Sequence, residues 1–170
     1  DHRLVFFRGR RSSYHSFFEI LPPKKYAKDH PDWYSEVQGK RIGRGQLCVT
    51  NPEMLEEYVK NTLVLLRECP GCDSIQVSQN DGLNCCECTN CLARCKAEGS
   101  WSGPYLEFAN KVAAAVEKEF PNVMIDTFAY QFTRKAPKTM RPRKNVLVRL
   151  CDIECAFNRP LSDSPAGEGW

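Results

Sequence analysis

A short apolar strand that runs into a polar turn and then into a dense group of cysteines is the feature that most constrains this chain. Residues 75–78 are predicted to form a buried strand, and Asn80-Asp81-Gly82 forms the turn that follows it. Five of the ten cysteines then lie between residues 85 and 95. Because α/β barrels place catalytic acids at the C-terminal ends of their strands, we expect Asp81 to be a functional carboxylate. The cysteines behind it are expected to lock its loop.

Composition limits the class of protein. A chain of 170 residues, 42% hydrophobic and 26% charged, suits one soluble globular domain. The net charge of +3 is small and the charges are mixed, which argues against a dedicated nucleic-acid binder. No apolar run approaches the roughly 20 residues of a membrane span. Leu4–Phe7 is too short for the apolar core of a signal peptide, so none is expected here.

The cysteine spacing leaves three interpretations open: a zinc site, local disulfides or buried free thiols. Cys69-x2-Cys72 and Cys88-x2-Cys91 are 15 residues apart, which fits a zinc-ribbon template. A buried strand between the two pairs does not suit a zinc ribbon, whose pairs lie on short exposed hairpins. We expect three cysteines to lie near one another as possible zinc ligands, namely Cys86, Cys88 and Cys91, with a fourth ligand from Cys95, Cys69 or Cys72.

Predicted strands and helices alternate along the chain, and this alternation with apolar strands predicts a parallel sheet. Asn51-Pro52 is a typical helix start, with Asn as the N-cap and Pro at the first helical position. The predicted strands are 4–7, 46–50, 75–78, 123–130 and 145–153, and the predicted helices are 22–30, 52–69 and 102–120.

The loop 134–144 contains six basic residues and no acidic one. Such a loop is usually a solvated connection. Contact with an acidic sugar or another polyanion is the alternative.

An ordered set of motifs resembles a known family. The motifs are His15-Ser16-Phe17-Phe18, Pro22-Pro23 with Tyr26, His30-Pro31-Asp32-Trp33-Tyr34, Gln46-Leu47-Cys48-Val49-Thr50-Asn51-Pro52, Ser78-Gln79-Asn80-Asp81, Cys86-x-Cys88-x2-Cys91, Asp126-Thr127-Phe128-Ala129-Tyr130-Gln131 and Arg149-Leu150-Cys151-Asp152-Ile153-Glu154-Cys155. From about residue 13 to residue 163, the chain resembles domain-of-unknown-function family 4838. Some members of that family are glycoside hydrolase family 163 enzymes.

The resemblance implies an α/β fold, a parallel (β/α) barrel of the TIM type related to α-glucuronidases and β-hexosaminidases. Family 163 enzymes act as endo-β-N-acetylglucosaminidases on N-glycans. Related proteins are usually bacterial and exported, so the parent protein is expected to be extracellular, periplasmic or on the cell surface.

The predicted strands account for about half of such a barrel. Residues 1–163 are therefore expected to form a barrel segment, and residues 164–170 a tail or the start of the remainder. A half-barrel has unpaired strand edges. The rest of the parent barrel, or an oligomeric partner, is expected to cover them.

Asp81 is the best candidate for a proton donor, since most glycosidases need one carboxylic acid to protonate the leaving oxygen. Asn80 is placed to hydrogen-bond a sugar hydroxyl or acetamido group. The pair resembles the Asn-Glu pair of many barrel glycosidases, with the shorter Asp as a departure. The alternative is a plain Asn-Asp-Gly turn, in which Asp81 caps local N–H groups.

Glu154 and Asp152 end the strand that begins near residue 145, and residues two apart share one face of a strand. Glu154 is the candidate second catalytic carboxylate and Asp152 a candidate sugar ligand. Ion pairing with Arg149 or Arg159 is the alternative. In a substrate-assisted mechanism the acetamido group is the nucleophile, and the second carboxylate only orients it.

Other candidate substrate-binding residues lie beside predicted strand ends. Tyr130 and Gln131 end the strand 123–130, and His15 lies among aromatic residues. A histidine satisfied by local hydrogen bonds is the alternative for His15. Trp33 and Tyr34 are expected in the core, with stacking on a sugar ring as their alternative.

Three functions are therefore compatible with the sequence. The first is a glycoside hydrolase acting on glycans, with no cofactor required for catalysis. The second is a non-catalytic glycan-binding module or degenerate barrel. The third is a cysteine-rich interaction domain stabilised by structural zinc.

Overall fold

The computed structural model of the chain describes residues 9–11 and 14–151. The predicted strand Leu4–Phe7 and the candidate site residues Asp152 and Glu154 lie outside the described residues.

A parallel sheet forms the centre of the fold, as the sequence predicted. In the part of the chain that the structure describes, its four strands lie side by side in the order β1-β4-β5-β6, and every neighbouring pair is parallel. The other two strands form an antiparallel hairpin. The strands are β1 (Arg10–Arg11), β2 (Glu36–Val37), β3 (Lys40–Arg41), β4 (Ser74–Gln76), β5 (Met124–Ala129) and β6 (Val146–Leu150).

The described residues contain five α-helices and two short 3-10 helices, Pro31–Trp33 and Gln131–Thr133. The α-helices are α1 (Phe17–Ile20), α2 (Pro23–Tyr26), α3 (Pro52–Arg67), α4 (Thr89–Glu98) and α5 (Ser102–Val116). The predicted start of α3 is confirmed, because the Asn51 side chain accepts a 2.9 Å hydrogen bond from the Met54 amide.

The order of the four parallel strands follows their order along the chain. Helix α3 packs on α5, and α5 packs on β5 and β6, so the two long helices lie together on one face of the sheet. Aromatic rings fill the space between α1, α3 and α5: Phe17, Tyr58 and Phe108 have ring centroids 5.0–5.9 Å apart. Burial of these large rings supplies much of the apolar stabilisation of the domain.

Several element predictions need correction. Residues 46–50 do not form a strand; only Leu47 pairs, in an isolated bridge to Tyr34, because the chain turns at once into the cap of α3. The predicted helix 22–30 is reduced to α2, and the helix predicted over 102–120 ends at Val116.

The elements that were not predicted include helix α4 and the hairpin β2–β3, besides the short elements β1 and α1. Helix α4 lies within the cysteine-rich stretch and ends at Gly99, which has a left-handed φ of 66°. The hairpin β2–β3 turns through Gln38 and Gly39, with φ of 51° and 73°. Positive φ at both turn positions matches the twist of the flanking strands.

The described part of the chain contains no helix with the length and apolar character needed to cross a membrane.

Candidate functional site

Asp81 and Tyr130 meet at the C-terminal edge of the sheet. Asp81 follows β4 and Tyr130 follows β5, and these strands are parallel neighbours, so both polar ends emerge on the same side. The Tyr130 hydroxyl donates a 2.9 Å hydrogen bond to Asp81 Oδ1. The side-chain amide of Gln131 in turn donates to the Tyr130 hydroxyl at 3.0 Å. Three of the predicted site residues are therefore connected in one chain of hydrogen bonds.

The Asp81 carboxylate is exposed and is held through one oxygen. Oδ1 accepts from the Gly82 amide at 2.9 Å as well as from Tyr130. Within residues 14–151 Oδ2 has no hydrogen-bond partner. The turn capping expected as the alternative for Asp81 is thus present, and it leaves the second oxygen open to solvent.

The environment of Tyr130 favours its protonated form. Partial burial raises the pKa of the Tyr130 phenol above its ordinary value, and the hydrogen bond to Asp81 raises this pKa further. Since the phenol keeps its proton, Tyr130 acts as a donor toward the carboxylate.

His15 completes this edge of the sheet. Its Nδ1 lies 2.8 Å from the Gln79 carbonyl oxygen, which can only accept, so Nδ1 carries the proton of this contact. Among the described residues nothing else hydrogen-bonds to the ring, which leaves Nε2 available. The ring lies 5.6 Å from Tyr130 and 5.7 Å from Phe128, centroid to centroid. His15 and Gln131 both have left-handed backbones, with φ of 61° and 49°. Such conformations in residues with side chains cluster at functional sites.

A cavity of about 340 Å³ opens beside this cluster. Tyr14 forms one wall; it is 59% exposed, and its ring stacks on Phe128 at 6.0 Å. Arg149 forms another wall and pairs with the buried Asp126 at 2.6 Å. The lining residues are Tyr14, His15, Phe128, Tyr130, Arg149, Leu150 and Cys151. An exposed aromatic face with polar groups at its rim is suited to a ligand that has both hydroxyl groups and an apolar face, such as a sugar.

The Asn80 side chain is held by two contacts within the fold. Its Nδ2 donates to the Gly45 carbonyl at 2.7 Å, and its Oδ1 lies 3.4 Å from the Phe18 amide, from which it accepts. Both polar ends of the side chain thus serve the fold around the turn.

Gln46 is the residue that fixes the Asp81 turn, and sequence reasoning missed it. Its fully buried side chain donates from Nε2 to the carbonyl of Asn80 at 2.9 Å. It donates to the carbonyls of Gly82 and Leu83 at 3.2 Å each, and Oε1 accepts from the Asn80 amide at 2.9 Å. One side chain therefore holds the whole turn. Its position at the head of the Gln46–Pro52 motif was the only sequence signal.

Trp33 and Tyr34 are buried, as expected for core residues, which removes the alternative of stacking on a sugar. Three of the six basic side chains in the loop 134–144 make contacts with neighbouring groups. Arg143 and Lys144 form ion pairs with Glu117, and Arg141 donates to loop carbonyls. These contacts agree with a solvated connection.

A second candidate site is formed by four cysteines. The Sγ atoms of Cys48, Cys86, Cys88 and Cys91 all lie within 4.8 Å of one another, a group that can bind a metal ion. Cys48 Sγ is 3.6 Å from Cys88 Sγ and 3.9 Å from Cys91 Sγ. The predicted proximity of Cys86, Cys88 and Cys91 is confirmed.

The fourth member of the group was predicted wrongly. Cys69 and Cys72 form a disulfide with each other and so are not thiol ligands, and Cys95 is outside the group. Cys48 takes the fourth place. It lies 38 residues before Cys86 in sequence, and spacing alone gave no reason to connect the two.

The thiols of this group strongly influence one another. Hydrogen bonds from the thiols of Cys86 and Cys91 lower the pKa of Cys48 well below its ordinary value. The same contact with Cys48 raises the pKa of Cys86 to about 12 and raises the pKa of Cys91 still further.

An apolar cavity of about 350 Å³ lies between α5, β5, β6 and the loop 134–144, and Phe128 lines both this cavity and the one beside Tyr130. Tyr105, Met140 and Val148 are among its lining residues. Val148 and Leu150 of β6 are 40% and 51% exposed.

Comparison with known proteins identifies a family. No curated protein and no solved structure matches the chain. The model of one protein family, described as "Domain of unknown function (DUF4838)", matches residues 5–168. The match covers nearly the whole chain and agrees with the resemblance of its ordered motifs. The chain therefore belongs to the DUF4838 family.

Proposed function

We propose that this chain is a segment of a glycoside-hydrolase-like (β/α) barrel that binds a glycan at the C-terminal edge of its sheet, with Asp81 as the carboxylate that acts on the glycosidic bond. The proposal rests on the hydrogen bond between the Asp81 and Tyr130 side chains, which follow the ends of two parallel neighbouring strands. In (β/α) barrels this end of the sheet is where active sites lie.

Strand order supports the barrel. In doubly wound sheets the strand order reverses and helices cover both faces. Here the strands follow chain order, and α3 and α5 lie on the same face, as in a singly wound barrel. The exposed apolar side chains of β6 and the adjacent apolar cavity suit further barrel strands and helices. We propose that the rest of the parent barrel, or an oligomeric partner, packs there.

Sugar recognition is supported by the chemistry of the 340 Å³ cavity. Tyr14 offers an exposed ring face for stacking, while His15 Nε2 and Asp81 Oδ2 are open hydrogen-bonding atoms. Gln131 donates to the hydroxyl of Tyr130, which lines the cavity. The choice of N-glycans as the substrate rests on the resemblance to glycoside hydrolase family 163.

The proton-donor role requires Asp81 to carry a proton on Oδ2, the oxygen without a partner among the described residues. A second carboxylate is also required, about 5–10 Å away in glycosidases that use a pair. Asp152 and Glu154 are the candidates in this chain. If the mechanism is substrate-assisted, the second carboxylate only orients the acetamido group.

Glycan binding without hydrolysis is the second candidate function. It is favoured by the Tyr130–Asp81 hydrogen bond, in which the carboxylate acts as an acceptor. The solvent-exposed position of Asp81 also suits recognition of a hydroxyl group.

The test is hydrolysis of an N-glycosylated protein by the full-length protein and by its Asp81→Asn variant. Loss of a general acid is expected to lower kcat by about 10²–10⁴-fold. Asp29→Asn, which changes an exposed carboxylate outside the site, is the matched control and should keep full turnover. Unchanged turnover in Asp81→Asn would reject the catalytic role. Glycan binding without turnover in the unmodified protein would favour the second function.

We also propose that the four-cysteine group holds a structural zinc ion. Zinc is the ion typically bound by four thiolates in tetrahedral geometry. A cysteine-rich interaction domain without a sugar site remains the third candidate, distinguished by zinc content without glycan binding. The Cys69–Cys72 disulfide supports an oxidising compartment, and hence the proposed extracellular or periplasmic location.

A further inference from the structure

We infer that zinc bound by Cys48, Cys86, Cys88 and Cys91 clamps the segment 46–48 to the segment 80–91, which contains the Asp81 turn. Metal occupancy then controls how well ordered the strand-end site is. This inference rests on the proposed zinc ion. The zinc ion would then not only stabilise the cysteine-rich loop but also fix the position of Asp81.

The sulfur geometry fits one tetrahedral ion. With Zn–S bonds of about 2.3 Å, the sulfur atoms of a tetrahedral site are about 3.8 Å apart. The Cys48–Cys88 and Cys48–Cys91 distances of 3.6 and 3.9 Å lie on either side of this value. Both are far from the S–S bond length of about 2.05 Å in a disulfide. These distances, with all four sulfurs within 4.8 Å of one another, suit ligands around a common centre.

The surroundings suit a negatively charged thiolate–zinc centre. Four thiolates around Zn²⁺ leave a net charge of about −2. Arg41 Nη1 lies 3.6 Å from Cys86 Sγ, and the Glu36 amide donates to the same sulfur at 3.4 Å. Cys91 occupies the first turn of α4, where the helix dipole favours negative charge. Burial of three of the four sulfur-bearing residues protects the centre from solvent.

Only one of the four ligands is partly accessible. Cys88 is half-buried and lines a polar cleft of about 310 Å³ together with Cys48, Thr50 and Arg41. The cleft provides a path for the ion to enter. The Thr50 hydroxyl lies 3.1 Å from Cys91 Sγ and can donate to it as a thiolate.

The same segments reach the Asp81 turn. Gln46, two residues before Cys48, holds the turn by four hydrogen bonds to Asn80, Gly82 and Leu83. The turn then continues directly into Cys86. The Gln46 contacts join the two segments at one end, and the metal would join them at the other. Release of the ion frees both segments and so loosens the turn between them.

The first measurement is the metal content of the purified full-length protein, with the visible spectrum after cobalt substitution. We expect about one zinc per chain and the intense thiolate–cobalt bands of a tetrahedral four-sulfur site. Cys48→Ser should lose most of the zinc affinity, whereas Cys95→Ser, outside the group, should retain it. Absence of zinc, or full retention by Cys48→Ser, would overturn the site. If Cys48→Ser does not fold, Cys88→Ser at the half-exposed position takes its place.

The second measurement is hydrogen exchange of the peptide covering residues 79–84, with zinc bound and after chelation. Exchange should become at least 10-fold faster on zinc removal and should be restored when zinc is added back. Gln46→Leu should bind zinc normally yet show fast exchange in this peptide. Zinc binding with unchanged exchange in 79–84 would reject the clamp. Because neither readout uses a glycan, failure of the clamp is distinguishable from failure of the proposed glycan site.

Discussion

Tyr130 and Asp81 are joined by a 2.9 Å hydrogen bond between side chains 49 residues apart in sequence. The contact exists because β4 and β5 are parallel neighbours and both residues follow the ends of their strands. It gives the exposed carboxylate a fixed orientation that a free turn would lack. A functional carboxylate gains from being held by a neighbour in this way.

The first prediction concerns the titration of Tyr130. In Asp81→Asn the phenol loses its charged acceptor, so the pKa of Tyr130 should fall toward its ordinary value of about 10. This pKa is measured by NMR of protein labelled with ¹³C at the tyrosine ring carbon that carries the hydroxyl (Cζ). The variant Tyr130→Phe assigns the signal. Asp29→Asn is the control and should leave the signal unchanged.

The sign of the related stability effect follows from the raised pKa of Tyr130. The contribution of the protonated phenol is fully present below the ordinary tyrosine pKa of about 10 and is lost as pH rises through the higher folded value. Unfolding curves of the unmodified protein and of Tyr130→Phe should therefore approach each other above about pH 10. A constant difference at all pH values would contradict this assignment.

The second prediction concerns Gln46. Gln46→Leu leaves three carbonyl groups and one amide of the Asp81 turn without their buried partner. The free energy of unfolding should fall by about 2–4 kcal/mol in chemical denaturation. Gln38→Leu, the same substitution at an exposed hairpin position, should cost less than about 1 kcal/mol. Equal effects of the two substitutions would show that Gln46 does not hold the turn.

The third prediction concerns acid sensitivity of the basic loop. The Thr139 hydroxyl, together with the Met140 and Thr139 amides, donates to the Glu98 carboxylate and lowers its pKa to about 2. A lowered carboxyl pKa stabilises the fold above the unfolded value of about 4.3, and the effect is lost as pH falls toward the folded value. Hydrogen exchange at residues 138–141 should therefore become faster relative to the rest of the domain between about pH 4 and pH 2.

Glu98→Gln supplies the control for this loop. The amide cannot carry the charge that the donors of Thr139 and Met140 stabilise, so exchange in the loop should already be fast at neutral pH. A loop that exchanges at the same rate in both proteins would assign its order to the ion pairs of Arg143 and Lys144 with Glu117 instead.

Local signals in the sequence predicted the elements that depend on local physics. The Asn51-Pro52 start and the apolar stripe of α3 were sufficient, because capping and amphipathic periodicity act within one helix. Helix α4 was missed since cysteines at positions 91 and 95 do not read as an apolar stripe. The strand predicted over residues 46–50 failed because its apolar residues face the core from a loop.

The candidate sites were predictable only in part. Asp81 and Tyr130 could be placed together because parallel strands bring their ends to one edge. The roles of Gln46 and Cys48 depend on contacts 34 or more residues away along the chain. No sequence-spacing rule connects residues that far apart along the chain, so these contacts could be found only from the folded structure.

The fourth prediction concerns the aromatic wall of the cavity. Tyr14→Ala removes the exposed ring proposed to stack on a sugar, and glycan affinity should fall about 10-fold, which corresponds to about 1.4 kcal/mol. Tyr14→Phe keeps the ring face and should bind within about 3-fold of the unmodified protein. Isothermal titration with an N-glycan oligosaccharide measures both constants. Equal loss in the two variants would point to the hydroxyl group rather than to stacking.

The most direct test of the glycan site is an NMR titration of the isotope-labelled protein with an N-glycan oligosaccharide. Saturable shift changes are predicted at Tyr14, His15 and Tyr130, with weaker binding in Asp81→Asn and unchanged binding in Asp29→Asn. Saturable changes confined to the apolar cavity beside Val148, or no saturable change at any residue, would contradict the proposed strand-end glycan site.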